Sequence, residues 1–241
     1  MDNTKDNFNI RKNEINEYFS FLTKIDKDDT KLKYKQNFSD NSFIEESISA
    51  NLQRVFIANS FLILYNLVES TIRNSIVEIY NKIQEDEITY NLLSENLKKI
   101  WLQKTTKKFK NNNLSEKTIQ DNIKSIIENI VDNEIIELTK DDIDISGNID
   151  AQKIRDLAKE IGFDKTDDER KGANLVTIKN KRNHLSHGDF TFYDIGKDYT
   201  IREIINYKNE TIEYLSNVIE KIEIFITNKE YKIQQNLAPN R

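Results

Sequence analysis

The sequence predicts an all-α fold, a helical bundle built around one long spine helix. Three observations carry this. The first 146 residues contain neither glycine nor proline, for all five glycines fall between Gly147 and Gly196 and the single proline is Pro239. In that breaker-free stretch Ile, Leu and Phe recur every three to four residues, the period of a helix with one buried face. Capping signatures, Ser or Thr followed three residues later by Glu, precede two of the longest periodic runs.

The elements follow in order. A first helix is expected over about 8–25, with Ile15, Phe19, Leu22 and Ile25 on one face. A second starts at the Ser42-x-x-Glu45 box and holds its spacing to about Ile83, which at 1.5 Å per residue makes a spine of roughly 60 Å. A third covers about 94–109 and a fourth about 115–132, with the Asn-rich patch 111–113 as a loop between them. A short fifth runs from Ala151 to Ile161, entered by Asp150 and stopped by Gly162. A sixth ends at His187, stopped by Gly188. Phe190 to Tyr199, with alternating aromatics, reads as a small hairpin or ordered loop. A last long helix starts at the Thr200-x-x-Glu203 box and reaches about Thr227. The whole chain, 1–241, is expected to form one domain with a flexible tail over 231–241.

Composition bounds the function. Of the 241 residues, 37% are hydrophobic and 10% aromatic, enough for a sizeable core and too many for a disordered tail. The absence of cysteine excludes a disulfide framework, a thiolate metal site and a cysteine nucleophile. The polar N-terminal stretch MDNTKDNFNI is not expected to be a targeting peptide. No apolar run nears the roughly 20 residues of a membrane span, and the longest, Phe61 to Leu67, contains Asn66. A soluble cytoplasmic protein without membrane contact is expected. The net charge of −5 argues against a general nucleic-acid coat. Two windows are nonetheless basic without any acid: lysines 98, 99, 104, 107, 108 and 110, and Lys171, Lys179 and Lys181 with Arg182. The first window, with Trp101 and Phe109, could guide a single strand of nucleic acid by charge and stacking, but reads better as a solvated helix face around one buried tryptophan.

Both histidines lie in one segment, Arg182-Asn183-His184-Leu185-Ser186-His187, followed by Gly188. On a helix, Arg182 shares a stripe with Leu175, Ile178 and Leu185 and points at whatever that helix packs on. Asn183 and His187, four apart, lie on its flank, and His184 faces the opposite way. A guanidinium directed inward needs an anion, a carboxylate or an interface. Geometry alone leaves open a buried Arg–Glu pair with a histidine at the favourable C-terminal end of a helix. A zinc site on His184, His187 and Asp189 is weaker, because no glutamate base follows at metallohydrolase spacing. On the spine helix, Asn59, Asn66, Glu69 and Arg73 form a polar stripe, which bundles tolerate only when its members satisfy one another or a ligand. The stripe is expected either to fix helix register or to face Arg182 and His187 across a cleft.

These residues carry a resemblance. Arg182-Asn183-x-x-x-His187-Gly188 resembles the RxxxxH motif of HEPN ribonucleases, and Leu64-Tyr65-Asn66-Leu67-Val68-Glu69-Ser70-Thr71 resembles a helix signature of the MAE-like HEPN branch. Ser146-Gly147-Asn148-Ile149-Asp150, Ile161-Gly162-Phe163, the run from Leu175 to Asn183, Gly188-Asp189-Phe190-x-Phe192 and Gly196-Lys197-x-Tyr199-Thr200 are similar to the same branch. The likeness spans about 43–230, and Ser186 departs from it by standing where alanine is frequent.

The resemblance implies a HEPN-type bundle that pairs as a homodimer across the RxxxxH helices. It implies metal-independent endoribonuclease activity with no cofactor, in a toxin or antiphage setting with an antitoxin or defence-complex partner. Arg182, Asn183 and His187 would be catalytic: an imidazole exchanges protons near neutral pH, and a guanidinium can hold phosphorane oxygens by paired hydrogen bonds. Two copies would supply two histidines, one as base and one as acid. Glu69, Asn66 and Arg73 would support the site, with Glu69 pairing Arg182 or Arg73 at rest, and Lys179 and Lys181 would contact RNA. The alternative is a catalytically silent HEPN module that binds RNA or a protein partner.

Overall fold

The computed structural model describes residues 1–27, 30–35, 42–110, 114–142, 145, 147–163 and 171–233, the side chains of 108 and 110 excepted. The patch 111–113, Ser146 and tail residues 234–241 lie outside the described residues. The helices are α1 (Asp2–Ile25), α2 (Ala50–Glu85), α3 (Glu95–Thr106), α4 (Glu116–Val131), α5 (Ala151–Ile161), α6 (Asn174–His187), α7 (Phe192–Gly196) and α8 (Ile201–Thr227). Strands β1 (Lys31–Lys35) and β2 (Phe43–Ser47) form one antiparallel ribbon between α1 and α2, with Lys33 opposite Glu45. The fold is an all-α bundle.

The spine is α2, about 54 Å long at helical rise. It packs against α1, α6, α7 and α8, while α3 and α5 pack on one another. Being surrounded explains its composition: Phe61, Leu64, Leu67, Val68, Ile72 and Ile76 are buried at positions that no single stripe could cover. By length and composition alone α2 could cross a bilayer, yet 56% of its most apolar 18-residue window is buried inside the bundle, as in a core helix. Gly196 lets α7 lie against it, because a Cβ there would sit 2.0 Å from the Arg54 carbonyl oxygen.

Several elements match their sequence signals. Asp150 caps α5, accepting from the Lys153 N–H at 3.0 Å, and Gly162 ends it in the left-handed region. Gly188, at φ 76°, ends α6 directly after His187. Thr200 and Glu203 close the capping box of α8.

Others are corrected. The spine does not start at Ser42: Phe43–Ser47 is a strand, and α2 begins at Ala50 with Ser49 accepting from the Leu52 N–H at 3.2 Å. Phe190 to Tyr199 is not a hairpin but holds α7, because Thr191 caps it through the Asp194 N–H. The first helix starts at Asp2 rather than Phe8, and α3 gives way after Thr106 to a 3₁₀ turn. The first tail residues are fixed, since Tyr231 is buried and its hydroxyl donates to Asp86 at 2.6 Å.

Candidate functional site

The stripe of α6 goes where its period sends it. Leu175 and Ile178 are buried, Leu185 packs half-buried against the core, and Arg182 enters the α2–α6 interface among them. Four groups receive its guanidinium. Its Cζ lies 4.0 Å from the centre of the Tyr65 ring, within cation–π range. Nη2 meets Glu69 Oε2 at 3.2 Å, and Nη1 donates to the Gly147 carbonyl at 3.1 Å and to Asn183 Oδ1 at 2.8 Å. Three of its five N–H donors are thus engaged. Nε–H and the second Nη2–H have no partner among the described residues, so the side chain is anchored with donors to spare.

Glu69 is shared, for its other oxygen accepts from Arg73 at 2.9 Å. Tyr65, Glu69 and Arg73 follow one another at i, i+4 on α2 and so stack along one face. Burial pushes the Tyr65 hydroxyl above its ordinary pKa, against a hydrogen bond from the Ile149 N–H at 3.2 Å, with the Glu69 charge adding to the rise. Phenolate chemistry near neutral pH is thereby disfavoured.

Ile145 and the stretch 147–150 strap this arrangement. The Ile145 carbonyl accepts from Arg73 at 3.3 Å, Gly147 from Arg182, and Asn148 Oδ1 from Asn183 Nδ2 at 2.9 Å. Asp150 pairs with Lys179 at 2.6 Å. Burial alone would raise that carboxyl, but the Lys179 ammonium and the helix N-terminal N–H groups hold it below the usual carboxylate range. Gly147 adopts φ +57°, which an L side chain reaches only with strain.

Arg182, Glu69, Arg73, Asn66 and Ser186 line one cleft of about 430 Å³, together with Arg11 of α1. Asn59 does not belong to it and instead meets the Tyr18 hydroxyl at 3.5 Å. His187 is not among the lining residues either: it sits in the last turn of α6, exposed, and its side chain has no hydrogen bond or ion pair with any described residue. His184 binds Asp189 at 3.2 Å and sets its ring edge-on to Phe190. Among the described residues no three His, Cys, Asp or Glu side chains converge as a metal site.

The predicted residues therefore divide. Arg182, Asn183, Glu69, Asn66 and Arg73 are brought together, and His187 stands apart from them within one chain. Lys179 is committed to Asp150, and the Lys181 ammonium lies 5.5 Å over the Tyr199 ring. In the lysine window, Trp101 is buried against Tyr90, Lys98 pairs with Glu95 and Lys104 with Asp142. Sequence reasoning missed the roles of Tyr65, Gly147, Asn148 and Arg11. Tyr65 left a signal in its four-residue spacing from Glu69, and Gly147 and Asn148 stood in a segment that carries the family resemblance, with no sign of their contacts; Arg11 left none.

The sequence matches the MAE-like HEPN family over residues 1–231. The chain belongs to that family. Its match takes in α1, ahead of the 43–230 stretch that carried the resemblance, in keeping with the packing of α1 on α2 and α8. Comparisons with curated proteins and with solved structures give no match. HEPN domains are generally ribonucleases, so membership points this HEPN chain to a nuclease or otherwise RNA-related function.

Proposed function

We propose that this HEPN protein is a metal-independent endoribonuclease acting as a toxin or antiphage effector. The observation that carries the reading is the contrast on α6: Arg182 is held rigidly with donors uncommitted, while His187 in the same motif is exposed and unpaired. One is prepared to bind charge and the other to exchange protons.

His187 takes the proton of a ribose 2′-hydroxyl, whose oxygen attacks the adjacent phosphorus. The P–O5′ bond breaks and the 5′-oxygen leaves with a proton from a second acid. Products are a 2′,3′-cyclic phosphate and a 5′-hydroxyl. Arg182 stabilises the extra negative charge of the phosphorane, an electrostatic contribution often worth about 3–4 kcal/mol. Asn183, fixed between Arg182 and Asn148, keeps the guanidinium in register. Arg182 and His187 diverge around α6, so a single chain offers half a site. A homodimer that joins the α6 helices would let His187 of one protomer serve the phosphate held by Arg182 of the other, and two histidines would then provide base and acid.

The test is cleavage of RNA by the purified protein in EDTA, comparing unmodified chain, His187→Ala and His184→Ala. Cleavage should persist in EDTA, end in cyclic phosphate, disappear with His187→Ala and survive His184→Ala, whose ring faces Asp189 and Phe190. Equal loss with both variants, or loss on chelation, would refute the reading. A second reading, a silent module, is favoured by the engagement of Arg182 with internal groups; a folded dimer that cleaves no RNA class but retains RNA binding would establish it.

A further inference from the structure

The cleft beside Arg182 carries more positive charge than one arginine explains. Arg11, Arg73 and Arg182 line it against a single carboxylate, Glu69, which leaves two positive charges in excess within a protein of net charge −5. Glu69 is spent on Arg73 and Arg182. Among the described residues Arg11 pairs with no carboxylate, and its side-chain hydrogen bond goes to the neutral amide oxygen of Asn66, at 3.3 Å. The side chain is half-exposed, yet its helix is immobilised by Phe8, Ile15 and Phe19 in the core. A cation carried on an anchored helix, beside other cations and without a carboxylate partner among the described residues, suits an anion.

We infer that Arg11 and Arg73 form a phosphate subsite for the RNA strand on its way to Arg182, so that α1 is part of the substrate-binding surface. Arg182 and Ser186 line the same cleft, and its α2 wall from Asn66 to Arg73 extends about 10 Å, a trough suited to a strand rather than a point ion. Guanidinium forks match phosphate oxygens in pairs, and contacts of this kind set register without reading sequence. The identity of the anion rests on the nuclease reading above. The charge imbalance does not.

Binding is measured apart from cleavage. A short fluorescent single-stranded RNA is titrated by anisotropy with the full chain carrying His187→Ala, over a series of salt concentrations. Adding Arg11→Gln should weaken binding and reduce the slope of log affinity against log salt by about 0.7, the value of one single-strand phosphate contact. Its deficit relative to the parent should therefore shrink by about 2.6-fold between about 50 and 200 mM salt. Arg11→Lys should keep the slope. Lys117→Gln, the loss of one exposed charge on α4, should leave both affinity and slope unchanged. Coincident lines for Arg11→Gln and its parent would overturn the subsite while leaving any observed cleavage standing. A reduced slope together with no cleavage by the unmodified chain would uphold the subsite and remove the nuclease reading.

Discussion

Glu69→Gln isolates the contact on which the site depends. It preserves shape and one acceptor oxygen and removes the charge that two guanidiniums share. The Arg182 and Glu69 side chains are 22% and 24% exposed. Their pair therefore lies between exposed pairs, worth about 0–1 kcal/mol, and buried ones, whose breakage costs about 3–5 kcal/mol. About 1.5 kcal/mol is expected. The Arg73 pair, i,i+4 on α2 with Arg73 43% exposed, adds about 0.3–0.5 kcal/mol. The total, about 2 kcal/mol, lowers the unfolding midpoint by roughly 4–8 °C in a domain of this size. A double-mutant cycle with Arg182→Gln separates the pair from its surroundings and should give a coupling near 1.5 kcal/mol in urea unfolding. Strict additivity, a coupling under about 0.3 kcal/mol, would refute the reasoning. Turnover on RNA should fall with Glu69→Gln as Arg182 loses its fixed orientation.

Other expectations are quickly stated. Gly196→Ala places a Cβ against the Arg54 backbone, which cannot swing away as a side chain would, and should cost about 3 kcal/mol in thermal unfolding. Gly147→Ala should cost about 1 kcal/mol through its φ of +57° rather than through crowding, and Gly147→Asn should recover part of it. Lys229 first, then Tyr231, hold the Asp86 carboxyl down at about 2 from an ordinary 3.8. Its folded pKa is depressed, so this stabilisation is complete above pH 3.8 and is lost as pH falls towards 2. After allowance for solvent screening it amounts to about 1–2 kcal/mol, which acid unfolding of Asp86→Asn would show as a flatter pH dependence.

The parts of the molecule legible in the sequence are those fixed locally. Asp150 and Gly162 bound α5 because a cap and a left-handed stop act within four residues, and the same holds for Gly188 and for Thr200 with Glu203. The inward turn of Arg182 was legible too, since helical period demanded it, while Glu69 was expected to pair with either Arg182 or Arg73 and meets both. Ser42-x-x-Glu45 misled because the pattern of a capping box fits a strand equally well. The ribbon partner that decides for strand, Lys31–Lys35, is brought in by a separate segment. Near α7, the aromatics outweighed Thr191 and Asp194, a cap of the kind read correctly elsewhere. The Gly147 and Asn148 contacts with α6 join residues 35 apart through a carbonyl and an amide, groups that leave no periodic trace.

The strap also sets when the site can exist during synthesis. Arg182 and Glu69 are separated by 113 residues, and Tyr65 and Ile149 by 84. Contacts that distant must first meet the entropy of closing long loops, so they form late. The partners of the guanidinium precede or adjoin it in the chain, but α6 finds a full partner surface only after α8, on which it also packs, has been made. A chain whose α8 is not yet complete thus lies beside messenger, transfer and ribosomal RNA without a fully packed site. Under the nuclease function proposed above, that order of assembly would protect the machinery producing the chain.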